Sequence, residues 1–242
     1  MDFLAIDVGN SRIKTLYQSK NSGSDYHYFY NEQQLNEYLQ TLHLSSVYLI
    51  ICDVGNKLSN IFFNKVELFK HYIILNHKTP LPIKNFYETP NTLGYDRIAS
   101  VVGAIELFPD INSLVIDAGT AITYDIITKN KEYLGGAISP GINLRFKALN
   151  EFTANLPLET FKNISTFPAK NTSNCIKTGV IEGVLAEIEH FIEDATIQFS
   201  PLQTIITGGD STNLVKYLKK TIFVEENLVL IGLINILKHN VL

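Results

Sequence analysis

The chain contains little cysteine, no excess of basic residues and no long apolar run. Cys52 and Cys175 are the only cysteines among its 242 residues. Neither belongs to a Cys-x-x-Cys motif or has a histidine partner at metal-ligand spacing, so we expect two buried free thiols rather than a disulfide or a metal site. Cysteine chemistry is therefore not expected to carry the function.

The charge balance and the hydropathy exclude two further classes of partner. The formal net charge is −4, the isoelectric point is near 5.9 and no local basic block is present, which argues against nucleic acid. The longest apolar run, LVLIGLINIL near the C-terminus, is shorter than the roughly 18 residues that span a bilayer. The N-terminal residues enter a strand pattern without a cationic leader. We expect a cytoplasmic protein with no membrane partner.

One local design occurs twice in the chain, at residues 3–14 (FLAIDVGNSRIK) and 113–125 (SLVIDAGTAITYD). In each copy an apolar run ends on an Asp, turns through a Gly beside a small polar residue, and resumes a strand pattern. A buried strand delivers Asp7 or Asp117 to its end, and the glycine lets backbone N–H groups face an anion. One copy alone could be an ordinary strand-ending turn. Two copies favour a site for a phosphate and its metal ion.

A third string, Cys52-Asp-Val-Gly-Asn-Lys57, imitates the first loop. We interpret it as a strand-to-helix turn, because residues 58–69 have a helical pattern and no second strand follows.

The remaining pattern predicts an α/β fold in one large domain or two of about 120 residues. Both halves, 1–110 and 111–242, show a meander of strands followed by helices that alternate with strands. We infer an internally duplicated fold with a ligand cleft where the two loops face each other. The predicted helices are 32–42, 58–69, one beginning after Gly94, 142–152, 175–193, 211–219 and 228–237.

The helix after Gly94 begins with an unusual pair of charges. Ile98, Val101, Val102 and Ile105 form its apolar face, which places Asp96 and Arg97 in the first turn. A carboxylate is favoured there by the helix dipole, whereas an arginine opposes it. We therefore expect an external anion or carboxylate to compensate Arg97.

Five motifs in this order and spacing resemble type III pantothenate kinases over nearly the whole chain. They are Asp7-Val-Gly-Asn-Ser, Gly94-Tyr-Asp-Arg97, Asp117-Ala-Gly-Thr-Ala-Ile-Thr-Tyr-Asp125, Gly135-Gly-Ala-Ile-Ser-Pro-Gly141 and Thr207-Gly-Gly-Asp210. The resemblance implies the fold of the acetate kinase, sugar kinase, Hsp70 and actin superfamily, two ribonuclease-H-like halves around a nucleotide cleft. It also implies ATP-dependent phosphorylation of pantothenate, the first step of coenzyme A synthesis, with Mg²⁺, a monovalent cation (K⁺ or NH₄⁺) and a homodimer.

The resemblance carries roles over to individual positions. Asp96 matches the catalytic base, Asp117 the ligand of the monovalent cation, and Asp7 a position near Mg²⁺. The positions that match ATP contacts are Asp7, Val8, Gly9, Asn10, Ser11, Arg12, Ile13, Lys14, Thr120, Gly208 and Gly209. Those that match pantothenate contacts are Tyr87, Gly94, Tyr95, Asp96, Arg97 and Thr172.

Several of these residues also have simpler interpretations. Asp96 could be only a helix-start carboxylate, Thr172 a helix cap and Tyr87 a packing aromatic. Lys14 could be a solvated strand residue, and the Gly208-Gly209 turn could serve the backbone alone.

One segment departs from the family pattern, since Cys52-Asp-Val-Gly stands where the family often carries a Ser-Val-x-Pro-like segment. The alternatives to pantothenate phosphorylation are a superfamily kinase for another small alcohol or carboxylate, and a non-enzymatic nucleotide-dependent regulator.

Overall fold

The computed structural model describes residues 1–20, 23–162 and 167–242 and shows a mixed α/β chain. It comprises two compact units. Unit 1 contains Met1–Asp110, Ile127–Gly135 and Asn227–Leu242, and unit 2 contains Ile111–Ile126 and Gly136–Glu226. Within the described ranges, no helix has the length and apolar character needed to cross a bilayer.

Eleven strands and seven α-helices form the described part of the chain. The strands are β1 (Asp2–Val8), β2 (Ile13–Ser19), β3 (Gly23–Phe29), β4 (Val47–Cys52), β5 (His71–Ile74), β6 (Lys84–Asn85), β7 (Asn112–Ala118), β8 (Ala121–Ile127), β9 (Glu132–Pro140), β10 (Leu202–Thr207) and β11 (Phe223–Val224). The helices are α1 (Glu32–Leu39), α2 (Asn60–Phe63), α3 (Tyr95–Leu107), α4 (Ile142–Glu151), α5 (Thr172–Phe199), α6 (Ser211–Leu214) and α7 (Leu228–Val241).

The sheet of unit 1 has the strand order β3-β2-β1-β4-β5. β1 and β2 are antiparallel neighbours joined by a tight turn, whereas β1 and β4 run parallel. Leu4 and Ile6 of β1 pack with Leu35 of α1 and Phe62 of α2 in one core cluster. This central position brings the carboxyl ends of β1 and β4 side by side.

The C-terminal helix α7 belongs to unit 1, although it follows unit 2 in the sequence. It packs against α3 and against β1, β2 and β4. Glycines let the two helices approach closely, since a Cβ on Gly232 would collide with the carbonyl of Ala99 and one on Gly103 with the carbonyl of Leu228. The helix predicted over 228–237 is confirmed, and most of these residues are buried.

The second sheet has the order β11-β10-β7-β8-β9-β6, and its strands β7, β10 and β11 lie in unit 2. β10 runs parallel to β7 and pairs Thr207 with Asp117, so both strands end at the same edge. The apolar stripe of α5, including Ile181, Val184 and Ile188, packs in the core of this unit. In unit 1, the first residues of β9 pair with β6.

Three sequence expectations need correction. The helix predicted over 58–69 is a single turn, α2, followed by a 3₁₀ turn over Val66–Leu68. The change comes where Lys65 N–H bonds to Phe62 O, three residues back. The helix predicted over 211–219 likewise ends as α6 at Leu214, before a 3₁₀ turn. Cys52 is a buried free thiol as expected, but Cys175 is exposed because it lies off the buried stripe of α5.

Candidate active site

The β1–β2 turn of unit 1 has the tight geometry that the sequence predicts for residues 7–14. The Gly9 amide donates a hydrogen bond of 3.1 Å to Arg12 O, and a Cβ on Gly9 would lie 3.2 Å from that oxygen. Val8 and Ile13 are buried, whereas Asn10, Ser11 and Arg12 are exposed. The turn is therefore anchored by the strands and open at its tip, as a loop that receives an anion must be.

Asp7 and Lys14 face each other across the base of this turn. Asp7 pairs in register with Lys14 on β2 and with Cys52 on β4, and both Asp7 and Lys14 are half-buried. The Arg12 guanidinium lies 5.5 Å from the centroid of the Tyr28 ring, a cation–π contact. The loop thus combines a carboxylate at the strand end with cationic side chains.

Lys57 reaches the same loop and was not predicted to do so. Its Nζ donates hydrogen bonds to Gly9 O at 2.8 Å and to Asn10 Oδ1 at 3.0 Å. The lysine ends the string Cys52-Asp-Val-Gly-Asn-Lys57, whose likeness to a phosphate loop was the only sequence signal. The string is a turn that leads toward a helix, as predicted, and it contributes a side chain to the first loop.

Asp96 lies in the first turn of α3, and the predicted helix start after Gly94 is confirmed. Asp96 Oδ1 accepts the backbone N–H of Arg97 at 2.8 Å. A Cβ on Gly94 would lie 2.5 Å from that Oδ1, so the absence of a side chain at Gly94 makes room for the carboxylate. Local backbone geometry therefore sets the position of Asp96.

The thiol of Cys52 lies within electrostatic range of Asp7, Asp96 and Asp53. Burial raises the pKa of this thiol well above its ordinary value, and the negative charges of Asp7, Asp96 and Asp53 raise it further. The carboxylates come from the end of β1, the start of α3 and the turn after β4. Unit 1 thus brings together the predicted metal-side carboxylate and the predicted base.

Arg97 and Tyr87, both predicted to contact the same ligand, meet in unit 1. Arg97 is 6% exposed, and its guanidinium lies 5.6 Å from the centroid of the Tyr87 ring. That ring also stacks on Tyr133 with the centroids 6.3 Å apart. Gly135, at φ +91°, faces Tyr87, because its Cβ would lie 3.2 Å from the ring. The first glycine of the Gly135-Gly motif therefore accommodates the aromatic side chain.

In unit 2, the Asp117 loop is joined by two other glycine motifs. The Gly119 amide donates to Ala121 O, and the Gly141 amide donates to Thr120 O, each at 3.0 Å. Gly208 has φ +92°, and its Cβ would lie 2.5 Å from Asp117 Oδ1. The predicted residues Asp117, Thr120, Gly208 and Gly209 are thus gathered at one sheet edge, with Thr120 and Gly209 exposed.

Asp210 extends this group. Its amide donates to Ala118 O at 3.0 Å, and burial raises the pKa of its carboxyl group. Asp210 is the last residue of the Thr207-Gly-Gly-Asp210 motif, and the sequence pattern predicts no role for it.

Glu187 forms a second cluster that the sequence did not reveal. It accepts hydrogen bonds from Tyr124 Oη at 2.8 Å, from Arg145 Nη2 at 2.6 Å and from Ser139 Oγ. Four elements contribute, namely β8, β9, α4 and α5. A lone Glu beside a helical apolar stripe gives no sequence signal for such a junction.

Thr172 is the first residue of α5 and is exposed. The cap of this helix is Asn171, whose side chain accepts the Asn174 amide at 2.9 Å, so the alternative interpretation of Thr172 as the cap is wrong. A cavity of about 530 Å³ lies beside the first turns of α5, lined among others by Pro168, Thr178 and Gly179.

The chemistry of the two strand-end carboxylates fits the implied cations. Asp7 and Asp117 supply the hard oxygen donors that Mg²⁺ and alkali cations prefer. Beside Asp117 Oδ1 the missing Cβ of Gly208 leaves room, and Asp7 lies half-buried where the open turn begins.

Comparisons with known proteins identify the family of the chain. A sequence model of type III pantothenate kinase matches residues 3–194. The type III pantothenate kinase of Cytophaga hutchinsonii is 40% identical over 239 residues, which cover 98% of this chain and 99% of that one.

Solved structures extend the comparison to the fold. A Campylobacter jejuni protein, provisionally described as a Baf family transcriptional activator, matches with a TM-score of 0.63 and 27% identity, covering 98% of both chains. The Clostridium difficile activator of 2-hydroxyisocaproyl-CoA dehydratase, solved with bound ADPNP, gives a TM-score of 0.54 at 10% identity, covering 99% of this chain and 95% of that one. The predicted fold class is confirmed, and the chain belongs to the type III pantothenate kinase family.

Proposed function

We propose that this protein transfers the γ-phosphoryl group of ATP to the primary hydroxyl of pantothenate, the first step of coenzyme A synthesis. The observation that carries the proposal is the open Gly9 turn at the end of β1, in the same unit as Asp96 at the start of α3. Family membership supports the choice of substrate.

The two carboxylates have different tasks. Phosphoryl transfer depends mainly on positioning and charge neutralisation, together with a group that takes the proton of the attacking hydroxyl. Asp96 is that group, because its carboxylate is fixed over the first turn of α3 by the Arg97 amide and by the space at Gly94. Asp7 lies at the base of the turn that receives the phosphates.

Backbone and cationic groups hold the phosphates in this scheme. The turn from Gly9 to Arg12 offers exposed residues at its tip, and Lys14 lies opposite Asp7. In unit 2, Thr120 and Gly209 are the exposed residues of the second loop group and are assigned to ATP.

Arg97 and Tyr87 form the acceptor side of the site. Pantothenate carries a carboxylate, and a buried guanidinium stacked on an aromatic ring suits the recognition of one. In this assignment the pantothenate carboxylate would be the external anion that the sequence predicts for Arg97 at the start of α3. Gly94 and Tyr95 complete the proposed acceptor contacts of unit 1, and the family resemblance assigns Thr172 to pantothenate as well.

Asp7 would hold Mg²⁺ and Asp117 would hold the monovalent cation, K⁺ or NH₄⁺. When bound, these cations neutralise the charge that develops on the phosphate oxygens.

A homodimer is also part of the proposal. Residues 97–105 of α3 are all buried within the chain, so this helix offers little surface to a partner. The long helix α5, of which only nine of 28 residues are buried, is therefore a stronger candidate for the interface than α3.

The test is an assay of purified protein with ATP, Mg²⁺, K⁺ and pantothenate. We expect phosphopantothenate and ADP in equal amounts, with no product when pantothenate is omitted. ATP turnover with another small alcohol or carboxylate but not with pantothenate would contradict the substrate assignment. ATP binding without transfer to any acceptor would favour a nucleotide-dependent regulator.

A further inference from the structure

The side chain of Lys57 folds back to the first loop through space that the neighbouring residues leave open. Its aliphatic stem lies over Gly55, where an added Cβ would be 3.0 Å from Lys57 Cε and 3.2 Å from its Cγ. From there Nζ reaches Gly9 O and Asn10 Oδ1. The absence of a side chain at Gly55 thus leaves room for the lysine to fold back.

The turn that carries Lys57 is fixed at both ends. Asp53 Oδ1 accepts the Lys57 amide at 3.0 Å, and Asp53 Oδ2 accepts the Leu58 amide at 2.9 Å. Asn56 adopts φ +49°, in the left-handed region that asparagine tolerates. Leu58 is 6% exposed and belongs to the core of unit 1. The lysine therefore projects from an anchored base, directly after the strand that pairs with β1.

The ammonium group is placed to act on an anion at this loop. An ammonium carries three N–H donors, and the two bonds to Gly9 and Asn10 engage two of them. It is a full positive charge in contact with the turn whose neighbouring amides are assigned to phosphate. Lys57 is exposed, so its attraction for a phosphate at this loop is screened by salt and should depend on the ionic strength.

We propose that Lys57 positions the polyphosphate of ATP, both by holding the Gly9-Asn10 segment and by contributing its charge to the bound phosphates. This inference rests on the proposed function, because it takes the β1–β2 turn as the ATP loop. The likeness of Cys52-Asp-Val-Gly-Asn-Lys57 to a phosphate loop then has a physical meaning, since this second turn supplies a cation to the first.

A purely structural role for Lys57 makes a different prediction. If the lysine only tied down the loop, its loss would lower stability and weaken ATP binding by a factor that salt does not change. A charge acting on phosphate gives a loss that shrinks as the ionic strength rises. Salt dependence therefore separates the two roles.

The experiment measures ATP affinity by calorimetry on the full-length protein with Mg²⁺ and without pantothenate, at low and high salt. The variants are Lys57→Met, which keeps the length of the side chain, and Lys57→Arg, which keeps the charge. Lys65→Met is the matched control, because Lys65 also lies in unit 1 and donates a side-chain hydrogen bond, to Asn36 Oδ1 at 2.8 Å. Thermal unfolding of each variant reports its stability.

We expect Lys57→Met to weaken ATP binding about 10- to 100-fold at low salt, the usual range for a lost hydrogen bond to a charged group. The loss should be smaller at high salt, Lys57→Arg should recover most of the affinity, and Lys65→Met should bind as the wild type does. An unchanged ATP affinity in Lys57→Met, or a loss that is independent of salt, would overturn the inference.

The two proposals fail in distinguishable ways. If the wild type binds ATP but does not phosphorylate pantothenate, the substrate assignment is wrong and the Lys57 result still stands. If pantothenate is phosphorylated and Lys57→Met binds ATP normally, only the Lys57 inference is wrong. If the wild type does not bind ATP, both are wrong.

Discussion

At the scale of single residues, Asp96 carries the most specific chemical assignment. In Asp96→Asn the side-chain oxygen can still accept the Arg97 amide, so the start of α3 should keep its shape. We expect ATP affinity to be retained and kcat to fall by ~10²–10⁴, because the general base is lost. Steady-state kinetics and calorimetry measure the two effects. Asp110→Asn, at an exposed aspartate of the same unit, is the control, and an unchanged kcat in Asp96→Asn would refute the base assignment.

Gly94 tests whether the position of that carboxylate matters. At φ −60° and ψ 130° the backbone of Gly94 is open to alanine, so Gly94→Ala should cost little stability. Its Cβ would nevertheless lie 2.5 Å from Asp96 Oδ1 and displace the carboxylate. We expect kcat to fall by about tenfold or more, since small misplacements of a catalytic group are costly.

The control for Gly94→Ala is Gly183→Ala on α5, where nothing lies within 4 Å of an added Cβ. It should be active and slightly more stable, because alanine favours a helix by up to about 1 kcal/mol over glycine. If Gly94→Ala matched this control in kcat, the room at Gly94 would have no bearing on catalysis.

Single residues also show which parts of the candidate site can be predicted from the sequence. Asp7 and Asp117 could be found because each ends an apolar strand before a glycine turn, a pattern visible in one dimension. Lys57 could not, since its contact with Gly9 depends on the parallel pairing of β1 with β4 and on the room above Gly55. A side-chain contact between two turns that are far apart in the chain produces no pattern in the local sequence.

At the scale of elements, Glu187 ties four parts of unit 2 together. Burial acts to raise the pKa of this carboxyl group, but hydrogen bonds from Ser139, Arg145 and Tyr124 outweigh it and lower the pKa below its ordinary value. Arg145 also donates from Nε to Pro140 O at 2.8 Å, which links α4 to the end of β9. The charged form of Glu187 is therefore the form that the folded state favours.

This predicts a loss of stability in acid. A carboxyl group whose pKa is lower in the folded state stabilises the fold above its unfolded pKa of about 4.3 and loses that effect as the pH falls toward the folded value. Glu187→Gln should cost about 1–2 kcal/mol at pH 7, and this cost should shrink in acid. Urea unfolding at pH 7 and at an acidic pH below the unfolded pKa measures the cost of the substitution. Glu151→Gln, at an exposed position of α4 in the same unit, is the control, and equal costs at both pH values would contradict the charged role.

The predicted elements failed where hydrogen bonding changed locally. Four apolar residues recur at near-helical spacing and are all buried, namely Leu58, Phe62, Val66 and Phe69. The spacing therefore predicted correctly which residues pack in the core, although it also predicted one continuous helix. The backbone buries these residues with one α turn and one 3₁₀ turn instead of a continuous helix. Burial pattern alone does not distinguish these two solutions.

At the scale of the whole molecule, the C-terminal helix α7 belongs to the same compact unit as the N-terminal strands. The sequence predicted two halves divided at residue 110, and that division stays a prediction about the duplicated design. The compact units are assembled differently, because α7 and residues 127–135 join residues 1–110 in unit 1. The apolar composition of 228–237 predicted burial but could not indicate which part of the chain would cover the helix.

The place of α7 predicts the behaviour of a fragment. Residues 1–110 alone would leave α3 without the helix that packs against it, exposing the close contact at Gly103 and the surfaces of β1 and β4 that α7 covers. Such exposed apolar area destabilises a small domain by about 25 cal/mol per Å². We expect the 1–110 fragment to lack a cooperative thermal transition in circular dichroism.

The matched control is the same fragment joined by a flexible linker to residues 227–242, which should recover a cooperative transition because α7 can dock again. A third fragment should separate specific docking from a general gain in apolar burial. It carries Gly232→Ala in the linked helix, whose Cβ would collide with the Ala99 carbonyl, and it should melt at a lower temperature than the control. A fragment of residues 1–110 that melts cooperatively without α7 would show instead that the first half folds on its own.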